Sequence, residues 1–252
     1  MKTKSPSVAL FIPCYVDQFY PQVGIATLEL LEKLGCTVSY PSGQTCCGQP
    51  LANAGYARDT VGTATHFIET FSDYDYVVCP SGSCTLHVKE HFPAIAGLEK
   101  KQEALEHKIY ELIEFITDVL KIERLEGKFP HRVSYHSSCH GQRGLQLSSG
   151  SELNQPPFNK ARKLLENLEG LDWVELTRTD ECCGFGGTFA VTEEALSIQM
   201  GKDRLADHLS HKTEMITGGD MSCIMHLQGI ASRSKQEVKF LHLAEILNQA
   251  LS

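Results

Sequence analysis

The sequence lacks any cluster of basic residues. Its 252 residues include 23 Lys and Arg against 31 Asp and Glu, which gives a formal net charge of −8 at pH 7. A surface of this sign does not attract nucleic acid or an anionic membrane, so we expect neither as the main partner. A protein or a small molecule is the expected partner instead.

Long apolar runs are missing as well. No stretch reaches the roughly 18 apolar residues that a membrane-spanning helix needs, so no membrane span is expected. Near the N-terminus the apolar residues 8–12 are followed by Pro13, and this run is too short for the core of a secretory signal. We therefore expect a cytoplasmic protein.

The glycine pattern of a dinucleotide site is also absent. No Gly-x-Gly-x-x-Gly follows a predicted strand, and the stretch "GFGG" at residues 184–187 does not have that spacing. The sequence therefore gives no sign of a flavin or nicotinamide site.

What the sequence does contain is cysteine, with 10 residues of this type. Thiols stay reduced in the cytoplasm, so this number favours metal binding or catalysis over a disulfide framework. Adjacent cysteines followed by glycine occur twice, in "TCCGQP" and in "ECCGFGGT". Whatever this arrangement does, the chain does it in two places.

The order of predicted elements repeats along the chain. The apolar stretches "SVALFIPCY", "CTVSYP" and "YDYVVCP" read as strands separated by amphipathic helices, and "HRVSYHSSCH", "DWVELTR" and "EMITGGDMSC" follow the same order. Strands alternating with helices imply parallel pairing. We predict an α/β protein of two similar repeats, each a small, mostly parallel sheet flanked by helices, related by a pseudo-twofold axis. The predicted repeats are residues 1–127 and 128–252.

The cysteines fall at matching places in the two predicted repeats. One follows the first strand, a Cys-Cys-Gly follows the second, and one follows the third. The first set is Cys14, Cys46, Cys47 and Cys84, and the second is Cys139, Cys182, Cys183 and Cys223. Because ligands of such sheets gather beyond the carboxyl ends of the strands, each set is expected to form one site. Cys36 and Cys79 are interpreted as packing residues.

Several chemistries are open to such a set. Inert packing explains single cysteines but not two matched sets. Disulfides between adjacent cysteines would be strained. Zinc accepts four thiolates but usually takes paired ligands from Cys-x-x-Cys, whereas an iron-sulfur cluster offers adjacent cysteines two different iron atoms. Gly48 and Gly184, which have no Cβ, would allow positive φ and let backbone N–H groups approach such a site. His136 and His140 are open as ligands of the second site, but we expect them beside it or on the surface.

The polar stretch at residues 141–158 interrupts the second repeat. Loops of this length are usually functional or disordered, and the sequence leaves open a surface insertion or a partner-facing loop.

These motifs resemble the cysteine-rich CCG-domain family, whose pattern is Cys, then Cys-Cys-Gly, then Cys-x-x-Cys, usually present twice. The stretches "EKLGCTVSYPSGQTCCGQPLANAGY", "CPSGSCT", "DECCGFGGTFAV" and "GGDMSCIMH" are similar to a group of lactate utilization proteins within it. Relatives include a heterodisulfide reductase subunit, which holds two noncubane clusters, and the iron-sulfur subunit of glycolate oxidase. The resemblance implies two iron-sulfur clusters, of the [4Fe-4S] type, one on each of the two cysteine sets.

The sequence departs from the family pattern at one place in each half. The first cysteine of Cys-x-x-Cys is replaced by Ser81 in "SGSC" and by Asp220 in "DMSC". Each half therefore has four of the five cysteines that a noncubane cluster would use. The alternatives are an ordinary cubane cluster, a serine or aspartate oxygen as a ligand, or an iron atom with an open position. We expect Ser81 and Asp220 to face the clusters, either as weak ligands or as neighbours of the residues that bind the metal.

The function that the resemblance implies is an iron-sulfur, electron-transferring component of an L-lactate oxidation complex, an oxidoreductase that makes pyruvate. Its expected partners are the other iron-sulfur subunits of that system, and the subunit is not expected to be active alone. The alternatives are a zinc-binding or thiol/disulfide redox-sensing protein, or a CCG subunit serving another oxidoreductase of the glycolate oxidase or heterodisulfide reductase type.

Overall fold

The computed structural model describes residues 5–252 and contains two four-stranded sheets. The strands of the first sheet are β1 (Ser7–Leu10), β2 (Thr37–Ser39), β3 (Tyr76–Cys79) and β4 (Ile109–Glu111). The strands of the second sheet are β5 (Arg132–His136), β6 (Asp172–Trp173), β7 (Met215–Gly218) and β8 (Lys239–His242).

Helices connect the strands in both halves. Those of the first half are α1 (Cys14–Phe19), α2 (Pro21–Lys33), α3 (Gln49–Asn53), α4 (Val61–Phe71), α5 (Gly82–Glu90), α6 (Glu99–Glu106) and α7 (Leu112–Glu114). Those of the second half are α8 (Lys160–Leu165), α9 (Phe189–Thr192), α10 (Glu194–Ser210), α11 (Met221–Arg233) and α12 (Leu243–Ala250). A 3-10 turn precedes α4 at Ala57–Thr60, and π-helical turns lie at Phe115–Val119 and His140–Gly144.

Both sheets have the same strand order and only parallel pairs. The first runs β2-β1-β3-β4 and the second β6-β5-β7-β8. Leu10 is paired with Val78 in the first sheet, and Tyr135 with Thr217 in the second. The central strands are almost entirely buried, as parallel sheets covered by helices require. The predicted α/β fold of two similar repeats is confirmed.

Each sheet ends with a strand that the sequence pattern did not resolve. The matching tails "KIYELIEFITDVL" and "KFLHLAEILNQAL" both begin with a short strand, β4 or β8, and continue as a helix. At the junction Glu111 and His242 each accept hydrogen bonds from the first turn of the following helix, which closes a capping box.

Reciprocal contacts relate the two halves by a pseudo-twofold axis. Helix α2 packs on α12, and its counterpart α8 packs on α7. At the centre Ser81 and Asp220, which occupy the same place in their repeats, form an antiparallel bridge with each other. A residue can meet its own counterpart in this way only close to the axis.

The halves share one hydrophobic core. Its members come from both sheets and from the helices between them, including Leu30 and Leu31 of α2 and Ile246 and Leu247 of α12. Polar contacts border the same interface: Lys33 Nζ donates to the Asn248 carbonyl over 2.9 Å. Among residues 5–252, no helix has the length and apolarity to cross a membrane.

Candidate metal centres

All eight cysteines of the two predicted sets open into one cavity. The cavity has a volume of about 330 Å³ and lies beyond the carboxyl ends of the strands. Its cysteine lining is Cys14, Cys46, Cys47, Cys84, Cys139, Cys182, Cys183 and Cys223. The sequence predicted separate sites, and the structure places the two groups on the walls of a common space.

The first set is held by three chain segments. Cys14 begins α1, Cys46 and Cys47 precede the turn into α3, and Cys84 lies in the first turn of α5. The thiol of Cys14 lies 3.7 Å from the Sγ atom of Cys46. The N–H of Gly48 donates to the same Sγ over 3.4 Å.

The second set repeats this arrangement. The N–H of Gly184 donates to Cys182 Sγ over 3.3 Å, as that of Gly48 does to Cys46. A further donor is the N–H of Phe185, 3.5 Å from Cys183 Sγ. Backbone donors directed at sulfur stabilise thiolate, and so both sets are prepared to bind positive charge.

Within each adjacent pair the two thiols differ in acidity. A hydrogen bond from the Cys14 thiol is the main cause that lowers the pKa of Cys46, and Cys139 lowers the pKa of Cys182 in the same way. The second cysteine of each pair donates to the first, and this raises the pKa of Cys47 and Cys183. The more acidic thiol therefore lies at the same position in both sets, Cys46 in the first and Cys182 in the second.

The glycine after each cysteine pair takes a conformation that other residues avoid. Gly48 has φ = 86° and Gly184 has φ = 87°. A Cβ on Gly184 would also lie 2.6 Å from the Ser197 carbonyl oxygen and 2.7 Å from Met200 Cβ of α10. Both glycines have a positive φ, and their N–H groups reach the Sγ atoms of Cys46 and Cys182, whereas the close backbone approach to a neighbouring helix is found at Gly184.

Ser81 and Asp220 line the cavity and begin the helices that carry Cys84 and Cys223. The Ser81 hydroxyl accepts from the Cys84 N–H over 3.4 Å. Asp220 accepts from two helices: from the Ser222 N–H over 3.3 Å in its own half and from the Ser83 N–H over 2.9 Å in the other. These side chains orient the helix termini that carry Cys84 and Cys223, and Asp220 joins the two repeats.

Cys36 and Cys79 lie in the hydrophobic core. Cys36 packs in the core that the two halves share, and burial raises its pKa. Cys79 ends β3, is fully buried, and packs with Phe11 and Phe67. Its pKa is raised by burial first and by the nearby Cys84 second. Their surroundings are those of packing residues.

The histidines take different positions around the cavity. His140 lines it, whereas His136 is fully buried behind the second set. A ring nitrogen of His136 and the Sγ atoms of Cys183 and Cys223 all lie within 4.8 Å of one another. Burial, with a contribution from Arg204, lowers the pKa of His136 to about 3, so the ring is neutral.

Sequence reasoning missed three polar residues near the cysteines, of which His87 and Arg204 are buried and His226 is half-buried. His87 and His226 follow the last cysteine of each set by three residues, in "CTLH" and "CIMH", and burial lowers the pKa of both. This repeated Cys-x-x-His was a signal that could have been found. Arg204 lies on α10 and is fully buried. The sequence pattern of this helix alone predicts that the arginine faces solvent.

The polar stretch at residues 141–158 is folded against the second site. Gln142 Nε2 donates to the Ser149 carbonyl over 2.9 Å and to Asp180 over 3.3 Å, and Asp180 lies just before Cys182. Leu145 and Leu147 form a small buried cluster with Leu86 of the first half. The stretch thus contributes packing between the two halves.

The donor sets fit a thiophilic metal or a cluster of such metals. All ten cysteines are free thiols in the described chain, and four of them converge in each half. Soft thiolates, nearby N–H donors and a largely apolar surrounding are the features of zinc and iron-sulfur sites. The fold and the sites therefore define a cysteine-rich protein of two repeats suited to binding metal.

Comparison with known proteins gives the family. The family model of the CCG cysteine-rich domain matches residues 8–89 and 133–228. The chain is 42% identical over 96% of its length to a lactate utilization protein A from Geobacillus sp. (strain WCH70), of which 98% is covered. A protein of the same name from Exiguobacterium sp. is 40% identical, with 98% of both chains covered. The chain belongs to the cysteine-rich CCG-domain family, and the resemblance inferred from its sequence is confirmed.

A solved structure supports the fold at greater distance. A hypothetical protein from Helicobacter pylori superposes with a TM-score of 0.62 at 13% identity. The superposition covers 99% of this chain and 50% of that protein, and at this identity it bears on the fold alone.

Proposed function

We propose that this protein is an iron-sulfur, electron-transferring component of an L-lactate oxidation complex. The observation that carries the proposal is the pair of matched four-thiol sets opening into one cavity. The name of the relatives, lactate utilization protein A, at 42% and 40% identity, supports the lactate pathway.

Cys14, Cys46, Cys47 and Cys84 would hold one iron-sulfur cluster, and Cys139, Cys182, Cys183 and Cys223 the other. Such clusters supply one-electron oxidation and reduction with little movement of the protein. The chain's own part is to keep the thiols in place and to direct the Gly48 and Gly184 N–H groups at sulfur. Asp220 keeps the two helices that carry Cys84 and Cys223 in a fixed relation, because it accepts hydrogen bonds from both.

The cavity does not offer lactate a cationic partner. No Lys or Arg is among its described lining residues, whose one carboxylate is Asp220. A lactate carboxylate placed there would have no lysine or arginine side chain to pair with. This supports the proposal that lactate is oxidised on a partner subunit and that this chain receives the electrons, so it is not active alone. The expected partners are the other iron-sulfur subunits of the system.

Metal analysis and growth test the proposal together. Full-length protein purified without oxygen should contain iron and acid-labile sulfide. A strain whose other lactate dehydrogenases are deleted should lose growth on L-lactate with Cys183→Ala, because one thiolate of the second set is gone. Cys36→Ala is the matched control, because Cys36 lies in the core, and growth should persist. Normal growth of Cys183→Ala at wild-type protein levels would contradict the electron-transfer role.

A zinc or thiol-sensing function is the second candidate. The 3.7 Å between the Sγ atoms of Cys14 and Cys46 is close to the ~3.8 Å that two thiolates keep on one tetrahedral zinc ion. Zinc without iron or sulfide in the anaerobic protein would favour this function. If the protein instead serves a complex of the glycolate oxidase or heterodisulfide reductase type, the anaerobic protein should still contain iron. Cys183→Ala should then leave growth on L-lactate unaffected.

A further inference from the structure

The two cysteine sets have different surroundings at one equivalent position. The sheet registers pair Leu10 with Val78 and Tyr135 with Thr217, so the next residues, Phe11 and His136, correspond. Each lies three residues before the first cysteine of its set. Both side chains are fully buried, and each is covered by the long helix that follows its Cys-Cys-Gly motif.

In the first half this position is entirely apolar. The ring of Phe11 meets Phe67 edge-on at 4.8 Å between centroids, and Phe71 at 5.7 Å. Phe67 and Phe71 lie one turn apart on α4. No polar atom of these three side chains is available to the first cysteine set, because phenyl rings have none.

In the second half the corresponding contacts are polar. His136 meets two residues one turn apart on α10: Arg204, whose Nε lies 3.3 Å from His136 Nδ1, and His208, whose ring centroid lies at 6.3 Å. Arg204 is also bound to the Arg178 carbonyl and, over 3.1 Å, to Asp207. His208 is held by the Ser134 hydroxyl at 2.7 Å.

The contact with Arg204 decides which nitrogen of His136 carries the proton. A guanidinium group only donates, so Nδ1 of His136 must accept. The neutral ring then has its N–H at Nε2. This atom is buried and has no hydrogen-bond partner among the residues that the structure describes. Nδ1 is engaged by Arg204, so Nε2 is the nitrogen that is free to donate. A ring nitrogen of His136 lies within 4.8 Å of the Sγ atoms of Cys183 and Cys223, so the ring is close enough to the second set to serve it.

We propose that His136 is an N–H donor to the thiolates of the second set, held in this tautomer by Arg204, and that it gives the second set the higher reduction potential. The assignment of a potential rests on the proposed iron-sulfur function. Reduction adds negative charge to a cluster, and N–H groups directed at its sulfurs stabilise that charge. Phe11 gives the first set no donor at this position. The histidines three residues after the last cysteine, His87 and His226, are present in both halves, so His136 is the additional donor, and an electron shared between the sets resides on the second. His136 is therefore a positioning residue and not a metal ligand.

The tautomer is tested on the full-length, metal-free protein, independently of iron. Nitrogen-15 NMR of histidine-labelled protein, assigned with His136→Gln, should show His136 protonated at Nε2. Arg204→Met should alter this signal, since the Nδ1 donor is lost. Protonation at Nδ1 in the wild-type protein would overturn the proposal whether or not the protein binds iron.

The potentials are tested by anaerobic redox titration monitored by EPR. Cys183→Ala identifies the second cluster as the signal that disappears. His136→Phe should lower the potential of that signal alone, and His136→Gln, which keeps an N–H donor, should lower it less. Phe11→Leu is the matched control in the first half and should shift neither potential. The proposal would be overturned if His136→Phe left the reduction potential of the second signal unchanged, or if it shifted the potential of the first signal alone.

Zinc binding by the His136→Phe variant shows whether His136 is a hydrogen-bond donor or a metal ligand. Full-length His136→Phe should take up zinc with the same stoichiometry and affinity as the wild type, since all eight thiols remain. A loss of bound zinc in this variant would make His136 a ligand and would overturn the proposal. Protein that contains neither iron nor sulfide would refute the proposed function, while the NMR result on the tautomer would stand.

Discussion

The two cysteines of each adjacent pair have different surroundings. Cys46 and Cys182 are half-buried and accept hydrogen bonds, whereas Cys47 and Cys183 are buried and donate them. Cys47 and Cys183 also hydrogen-bond to Cys84 and Cys223, so each adjacent pair connects the first cysteine of its set to the last.

A single buried carboxyl near the axis predicts a pH effect on stability. Glu111 is fully buried, and burial raises its pKa from 4.5 to about 8. Its Oε2 accepts from the Ile113 N–H over 2.6 Å, but Oε1 has no partner in the described chain. The folded state therefore holds a proton that the unfolded state releases above pH 4.5, so its contribution to stability is lost as pH rises toward 8.

Glu111→Gln should remove this dependence. The amide keeps an acceptor for the Ile113 N–H but has no proton to lose, so the variant should gain stability over the wild type from pH 5 to pH 8, by on the order of a few kcal/mol. Urea unfolding of both proteins across this range measures the difference. A difference that is constant with pH would contradict the raised pKa.

At the scale of elements, α10 supports the second cysteine pair through a close backbone approach. A Cβ on Gly201 would lie 2.2 Å from Ile230 Cδ1, 2.9 Å from His226 Nε2 and 3.1 Å from the Cys183 carbonyl oxygen. The helix can lie this close to the cysteine loop and to α11 only because residue 201 has no side chain. The same closeness brings Arg204, one turn further along α10, to His136.

Gly201→Ala should therefore destabilise the protein by about 1–3 kcal/mol, since a methyl group must displace neighbours in a packed interior. Gly229→Ala is the matched control on α11, where no described atom lies within 4 Å of the new Cβ. That change should stabilise by about 0.5–1 kcal/mol through helix propensity alone. Urea unfolding measures both, and equal effects would contradict the close packing of α10.

At the scale of the whole molecule, the two repeats share a hydrophobic core, although the first half also has a buried cluster of its own around Phe11 and Phe67. The shared core takes residues from α2 and α7 of the first half and from α8 and α12 of the second. Asp220 adds a hydrogen bond across the axis to the Ser83 N–H. Each half alone would expose these surfaces to water.

A fragment of residues 1–127 should consequently fail to fold alone, although the sequence predicts it as a complete repeat. Circular dichroism and the cooperativity of thermal unfolding measure this, and co-expression with residues 128–252 is the control that should restore a folded complex. A monomeric 1–127 fragment with a cooperative transition would show that the first half needs no partner. The boundary between 127 and 128 stays a prediction.

The sequence by itself determined the α/β class, the repeat, the cysteine sets and the glycines of positive φ. These depend on local properties: strand and helix periodicity, spacing, and the absence of a Cβ. Assignment of the eight cysteines as cluster ligands stays a prediction, as do the roles of Ser81 and Asp220 beside the clusters. The repeated motifs made these hypotheses accessible before any coordinates.

Only the tertiary structure decided how the repeats meet. The two cysteine sets line a common cavity, and the hydrogen bond from Ser83 to Asp220 joins residues 137 positions apart. Within the second repeat, the contact of Arg204 with His136 joins residues 68 positions apart. Such contacts follow from the docking of two sheets and from the approach of α10, which no local pattern encodes. The fourth strands, β4 and β8, needed a neighbour to pair with, because three or four residues do not form a strand alone.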